Sequence, residues 1–165
     1  MTRSGASGLS KSCALPQLKL AWTAVTGPAP LVEEALDRLE VIADSYLSVS
    51  TPVQVAAPGL LARRGELQAP ILSRARTNLA ALRARLPGSP ATLLEPEGGW
   101  YAVLRVPATV GEEERVTRLL DEQDVLVHPG YFFDFPHEAF LVLSLLTPED
   151  VFAEGTARVL AELSA

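Results

Sequence analysis

From Thr92 onward the texture of the chain changes from long helical periods to short apolar runs cut by turns, and this change constrains the fold more than any other feature. ATLLEP, WYAVLRV, VLVHPG and AFLVLSLL are each of strand length, with Gly98-Gly99 opening the second. A helical pattern runs from Gly111 to Asp121. Another starts at Thr147-Pro148, as cap and first turn, and carries Val151, Phe152, Val159, Leu160 and Leu163 along one side. The order is therefore β-β-α-β-β-α, which predicts an α/β or α+β unit with helices on one face of a sheet.

The preceding residues are organised differently. Residues 1–10, MTRSGASGLS, have neither period and read as loop. QLKLAWTAV, Gln17 to Val25, becomes wholly apolar between Pro16 and Gly27 and reads as a largely buried strand. Pro30 to Leu47 sets Leu31, Ala35, Leu36, Leu39 and Ile42 against Glu33, Glu34, Asp37 and Arg38, an amphipathic helix. Val53 to Leu61 suits a helical turn or two, and a longer helix is expected from Pro70, a good first-turn residue, to Leu86. Pro87-Gly88 ends it. Its arginines, Arg74, Arg76, Arg83 and Arg85, read as a solvated face. The chain thus divides at about residue 88 into parts 1–88 and 89–165.

At 165 residues there is room for one domain, or for a small domain with part of another. Hydrophobic residues make up 48% of the chain, so it can bury a core and is not a disordered tail. Fourteen Lys+Arg stand against twenty Asp+Glu, a formal charge of -6, which leaves no electrostatic footprint for nucleic acid. No apolar run reaches the length of a bilayer span, so no membrane partner is expected. The single cysteine, Cys13, forms no internal disulfide, and with only His128 and His137 there is no cysteine-based zinc set. A cytoplasmic, reducing location is the expectation.

Chemistry concentrates in Gly8-Leu9-Ser10-Lys11 and the following SCALPQLKLAW. A lysine attacks a carbonyl only when its amine is neutral, and lysine is the cation that tolerates such a shift. Small neighbours let a ring and a phosphate approach the backbone, and Lys19, eight positions on, supplies a cation for that phosphate. The residues alone leave open an exposed pair of lysines or a lysine kept as a relic.

This segment resembles the lysine segment of the class I/II pyridoxal-phosphate aminotransferases of fold type I. Gly8, Leu9, Ser10 and Lys11 match the small, apolar, small, lysine pattern, and Lys19-Leu20-Ala21 matches the basic residue with its apolar-small pair. The order downstream is similar too: the helix from Pro30, the break STPVQVAAP, the long linking helix, Gly98-Gly99-Trp100 and VLVHPGYFF. The resemblance spans roughly residues 7–163. It implies the end of a fold type I large domain followed by the C-terminal α/β small domain. It also implies amino-group transfer between an amino acid and a 2-oxo acid, with pyridoxal 5'-phosphate as cofactor. Lys11 would form the internal aldimine and then carry a proton between the substrate Cα and the cofactor C4′. Lys19 and Ser10 would hold the phosphate, and the full-length protein would be a homodimer.

Three departures bear on activity. Lys19 stands where the family has arginine, which removes a two-pronged grip on phosphate. Val142 in AFLVLSLL stands where an arginine binds the substrate α-carboxylate, and no arginine lies between Arg118 and Arg158. Only ten residues precede Lys11, and none is the Asp that pairs with the pyridine nitrogen or the aromatic that stacks on the ring. The expectation is an incomplete aminotransferase, inactive alone. A non-catalytic interaction module, or another pyridoxal-phosphate reaction such as decarboxylation or elimination, are the other readings.

Tyr131, Phe132, Phe133 and Phe135, like Trp100, read equally as core or as the wall of an apolar substrate pocket. His128 reads as a hydrogen-bonded strand end or a substrate-facing group, and Cys13 as a small packed residue rather than a reactive thiol.

Overall fold

The computed structural model describes residues 3–46 and 48–164; the expected helix end at Leu47 lies outside them. The chain divides into two compact units, Met1–Pro70 and Ile71–Ala165.

In the first unit, β1 (Arg3–Gly8) pairs antiparallel with β2 (Ala21–Thr26), from Arg3 opposite Thr26 to Gly8 opposite Ala21. Residues 3–8 therefore form a strand, not a loop. RSGASG has no apolar alternation to betray it, because the backbone ladder with β2 rather than side-chain burial supports it. Between the strands come α1 (Leu9–Ser12) and a 3-10 turn at Pro16–Leu18, so the second strand opens at Ala21 instead of Gln17. Helix α2 (Ala29–Asp44) begins with Ala29 and Pro30 in its first turn, as expected, and α3 (Thr51–Ala62) is longer than its Pro58 and Gly59 suggested. Among the described residues of this unit the buried apolar side chains are Leu9 and Cys13. Strand β2 is exposed or half-buried along its length, not largely buried.

Helix α4 (Arg64–Arg85) runs through the boundary between the units and holds Pro70 inside it. The expectation of a start at Pro70 is corrected by six residues. Pro70 lacks the N–H that would bond the carbonyl four residues back, yet the turn before it stays helical.

The second unit has β3 (Thr92–Leu94), β4 (Tyr101–Arg105), α5 (Glu112–Gln123), β5 (His128–Pro129), β6 (Phe140–Ser144) and α6 (Glu149–Leu163). The β-β-α-β-β-α order is the one expected from sequence. The sheet order is β3-β4-β6-β5, every pair antiparallel. Register places Ala102 opposite Leu143 and Leu104 opposite Leu141 on one face. These four join Leu82 of α4, Leu119 of α5 and Phe152, Val159 and Leu163 of α6 in the core. Helix α5 stops where Asp124 takes a left-handed φ of 54°, with Asp124 N–H donating to Leu120 O and Val125 N–H to Leu119 O.

Candidate functional site

The two lysines of the sequence, Lys11 and Lys19, both fall in the connection between β1 and β2. That connection is stitched closed. Leu9 N–H donates to Leu20 O at 3.0 Å, and Cys13 N–H and Leu15 N–H both donate to Leu9 O. Ser10 follows Leu9 and Lys19 precedes Leu20, so the two residues flank one backbone hydrogen bond. Gly8 makes this closure possible, because a Cβ there would lie 2.9 Å from Leu20 O and 3.2 Å from Ala21 Cα.

Lys11 is exposed on α1, Ser10 is half-buried beside it, and Lys19 is exposed with a left-handed φ of 52°. Ser7 Oγ and Ser12 Oγ lie 3.2 Å apart across the base of the turn. Underneath, Cys13 is fully buried with its Sγ 3.7 Å from Leu60 O, and Gln68 Nε2 donates to Ser12 O at 2.9 Å. Cys13 is thus a packed side chain, as its sequence context suggested. Lys11, Ser10 and Lys19 thus lie on one closed loop, which carries two amines and a hydroxyl. Among the described residues no cluster of His, Cys, Asp and Glu could hold a metal ion.

The second unit carries a separate feature on the sheet face turned from its core. Alternation and register set Tyr101, Val103 and Arg105 of β4 beside Ser144, Val142 and Phe140 of β6, with His128 of β5 beyond Val142. Val142 is 1% exposed, so its side chain is a packed apolar group at the centre of that face. After His128 the chain enters a 3-10 turn, Gly130–Phe133, that brings rings back over the strand ends. Phe133 meets Tyr101 edge-on at 5.3 Å between centroids, and Phe132 and Phe133 each lie 6.1 Å from the His128 ring. Phe135 stacks on Phe140 at 4.6 Å. Of the aromatic residues singled out in the sequence, Phe132 and Phe133 gather at His128 and Tyr101, whereas Tyr131 packs on Phe132 and Phe135 on Phe140. The rings of Tyr131, Phe132 and Phe133 remain exposed rather than entering the core.

Sequence reasoning missed Glu112. It is a buried carboxylate whose Oε1 accepts from Phe140 N–H at 2.7 Å and whose Oε2 accepts from Tyr131 N–H at 3.1 Å. In the run Gly-Glu-Glu-Glu-Arg it looks like any acidic first turn of a helix. No local signal distinguishes it from Glu113 and Glu114.

A sheet with helices packed on one face, preceded by a hairpin that presents a lysine loop, is the architecture of the C-terminal portion of a fold type I transferase. The chain belongs to the aminotransferase class I and II family, whose model it matches over residues 5–152. Solved structures agree on the fold. An aromatic aminotransferase from Pyrococcus horikoshii superposes with a TM-score of 0.78 at 20% identity, over 98% of this chain and 43% of its own. A probable N-succinyldiaminopimelate aminotransferase from Thermus thermophilus gives 0.79 at 24% identity, over 97% and 42%. An aminotransferase from Escherichia coli gives 0.81 at 19% identity, over 100% and 43%. The chain thus spans less than half the length of the structures it resembles. No curated protein matches it in sequence. Among the described residues no helix is long and apolar enough to cross a membrane.

Proposed function

We propose that this chain is part of a pyridoxal-phosphate aminotransferase that moves an amino group between an amino acid and a 2-oxo acid, with Lys11 as its reactive amine. Residues 1–88 are the end of its large domain and 89–165 its small domain, and the full-length protein is a homodimer. The observation that carries this reading is the hydrogen bond from Leu9 N–H to Leu20 O. It ties the backbone around Ser10 and Lys11 to the residue after Lys19.

Bound pyridoxal phosphate would supply an electron sink for charge developing at the substrate Cα. Lys11 Nζ would be its covalent anchor, and once displaced by the incoming amine would take up and return the Cα proton. The Ser10 hydroxyl and the Lys19 ammonium would hold the phosphate oxygens by charge-assisted hydrogen bonds. Because residues 3–10 contain no carboxylate and no aromatic side chain, the 165 residues alone would bind the group weakly and would not turn over.

Val142 favours one second reading. A buried apolar side chain on that strand grips no carboxylate, and a reaction that expels the carboxylate, such as decarboxylation, has less need of such a grip. With the upstream part of the chain restored, release of carbon dioxide against formation of a 2-oxo acid separates the two.

The primary test uses the chain alone. Added pyridoxal phosphate should produce a visible absorbance that borohydride fixes onto the peptide containing Lys11, and Lys11→Ala should abolish it. With only two lysines present, equal labelling of Lys11 and Lys19, or labelling unaffected by Lys11→Ala, would end the proposal.

A further inference from the structure

Residues 130–140 leave the sheet after β5 and return to it as β6. The excursion is held at both ends by the same side chain. Glu112 is 4% exposed, and its two oxygens accept one backbone N–H each, Tyr131 at the start and Phe140 at the end. Between those points Tyr131, Phe132, Phe133, Asp134, Pro136, His137 and Glu138 are exposed.

Two further observations point to the same residue. A Cβ on Gly130 would come within 2.7 Å of Phe140 Cβ and 2.9 Å of Glu112 Oε1, so the backbone at the loop base is closed against this carboxylate. Ala139, the residue before Phe140, has a φ of 81°, a conformation that an alanine holds only when its surroundings impose it. Its carbonyl accepts Val106 N–H at 2.9 Å while the next N–H goes to Glu112. Carboxylate is the right group here: an ionised glutamate has acceptors only, whereas a glutamine would turn an N–H₂ toward one of the two donors.

We propose that Glu112 is a positioning residue, the clamp that sets where the rings of Phe132 and Phe133 stand against His128 and Tyr101. It acts through two backbone groups, so the position of the rings is controlled independently of their chemistry. The proposal does not depend on Lys11 or on a bound cofactor.

Amide hydrogen exchange on the whole chain tests it. In the unsubstituted chain the amides of Tyr131 and Phe140 should exchange far more slowly than those of His137 and Glu138 between them. In Glu112→Gln, exchange at Tyr131 or Phe140 should rise about tenfold, the cost of a donor left without its acceptor. The His128 imidazole and Tyr101 ring resonances should shift with it, while the Leu119 and Leu143 amides keep their rates. Glu112→Asp, one methylene shorter, should release both ends. Gly130→Ala, which presses on the clamp from the opposite side, should give the same local signature if Glu112→Gln fails to fold. Unchanged exchange at Tyr131 and Phe140, or a uniform rise across β4, β6 and α5, would overturn the assignment, the latter by showing a general stabilising role only.

Discussion

Arg115 and Glu162 form a buried ion pair, Nη1 to Oε2 at 2.9 Å, in which the side chains are 5% and 7% exposed. Arg115 also donates through Nη2 to Pro107 O at 3.1 Å and to Thr109 Oγ1 at 3.0 Å, so α5, α6 and the segment after β4 meet at one guanidinium. Removing Glu162 leaves the buried Arg115 charge without a counter-ion, and removing Arg115 leaves Glu162 with only the longer contact to Arg118 Nη1 at 3.9 Å. Arg115→Ala or Glu162→Ala should each cost about 3–5 kcal/mol. Arg115→Met with Glu162→Leu should cost much less than the two single changes together. Urea denaturation of the three variants checks this.

Asn78 is almost fully buried on α4 and its Nδ2 donates to Leu145 O at 3.1 Å and Thr147 O at 2.8 Å, securing the turn between β6 and α6. Asn78→Asp puts an acceptor against two acceptors. The expected loss is about 3 kcal/mol or more, larger than for Asn78→Ala, read from thermal unfolding.

Val142→Arg would put a guanidinium on β6, at a position already packed between Val103 and His128. The substitution should lower stability by several kcal/mol, on the order expected for an unpaired charge placed in a closed site. A stable Val142→Arg variant that binds succinate would contradict the packing described for this face.

Lys19 holds a left-handed backbone that glycine adopts at no steric cost. Lys19→Gly should therefore keep or slightly raise hairpin stability while weakening pyridoxal phosphate binding about tenfold, the scale of one charge-assisted hydrogen bond. An absorbance titration against circular dichroism separates the two effects. Equal affinity would remove Lys19 from the phosphate site.

Ile42 on α2 and Val55 on α3 are 56% and 77% exposed in a unit with little core of its own. Apolar surface of this kind promotes association. Light scattering should show self-association of the chain, reduced in the Ile42→Glu, Val55→Glu double variant.

What the sequence revealed follows from where side-chain burial does the work. The core of the second unit is written in short apolar runs of strand length such as AFLVLSLL and in the α6 stripe at helical spacing, and its order of elements was legible throughout. Residues 3–8 and 64–69 were not. The first is held by ladder hydrogen bonds to β2, and the second continues as helix through Pro70 against its local preference. Lys11, Ser10 and Lys19 stand out in the sequence as two lysines and a serine at close spacing, and the structure puts all three in the connection between β1 and β2. Glu112 does not stand out, because its partners are backbone groups 19 and 28 residues away.

Pro70 has a consequence for how the molecule comes apart. Helical order spreads along a chain one hydrogen bond at a time, and at Pro70 that relay skips a link, at the residue where the two units divide. Fraying that begins among residues 64–69 is therefore stopped short of Leu82. The last helical segment to melt should be the one anchored in the sheet, giving the molecule two transitions on heating where an uninterrupted α4 would have given one.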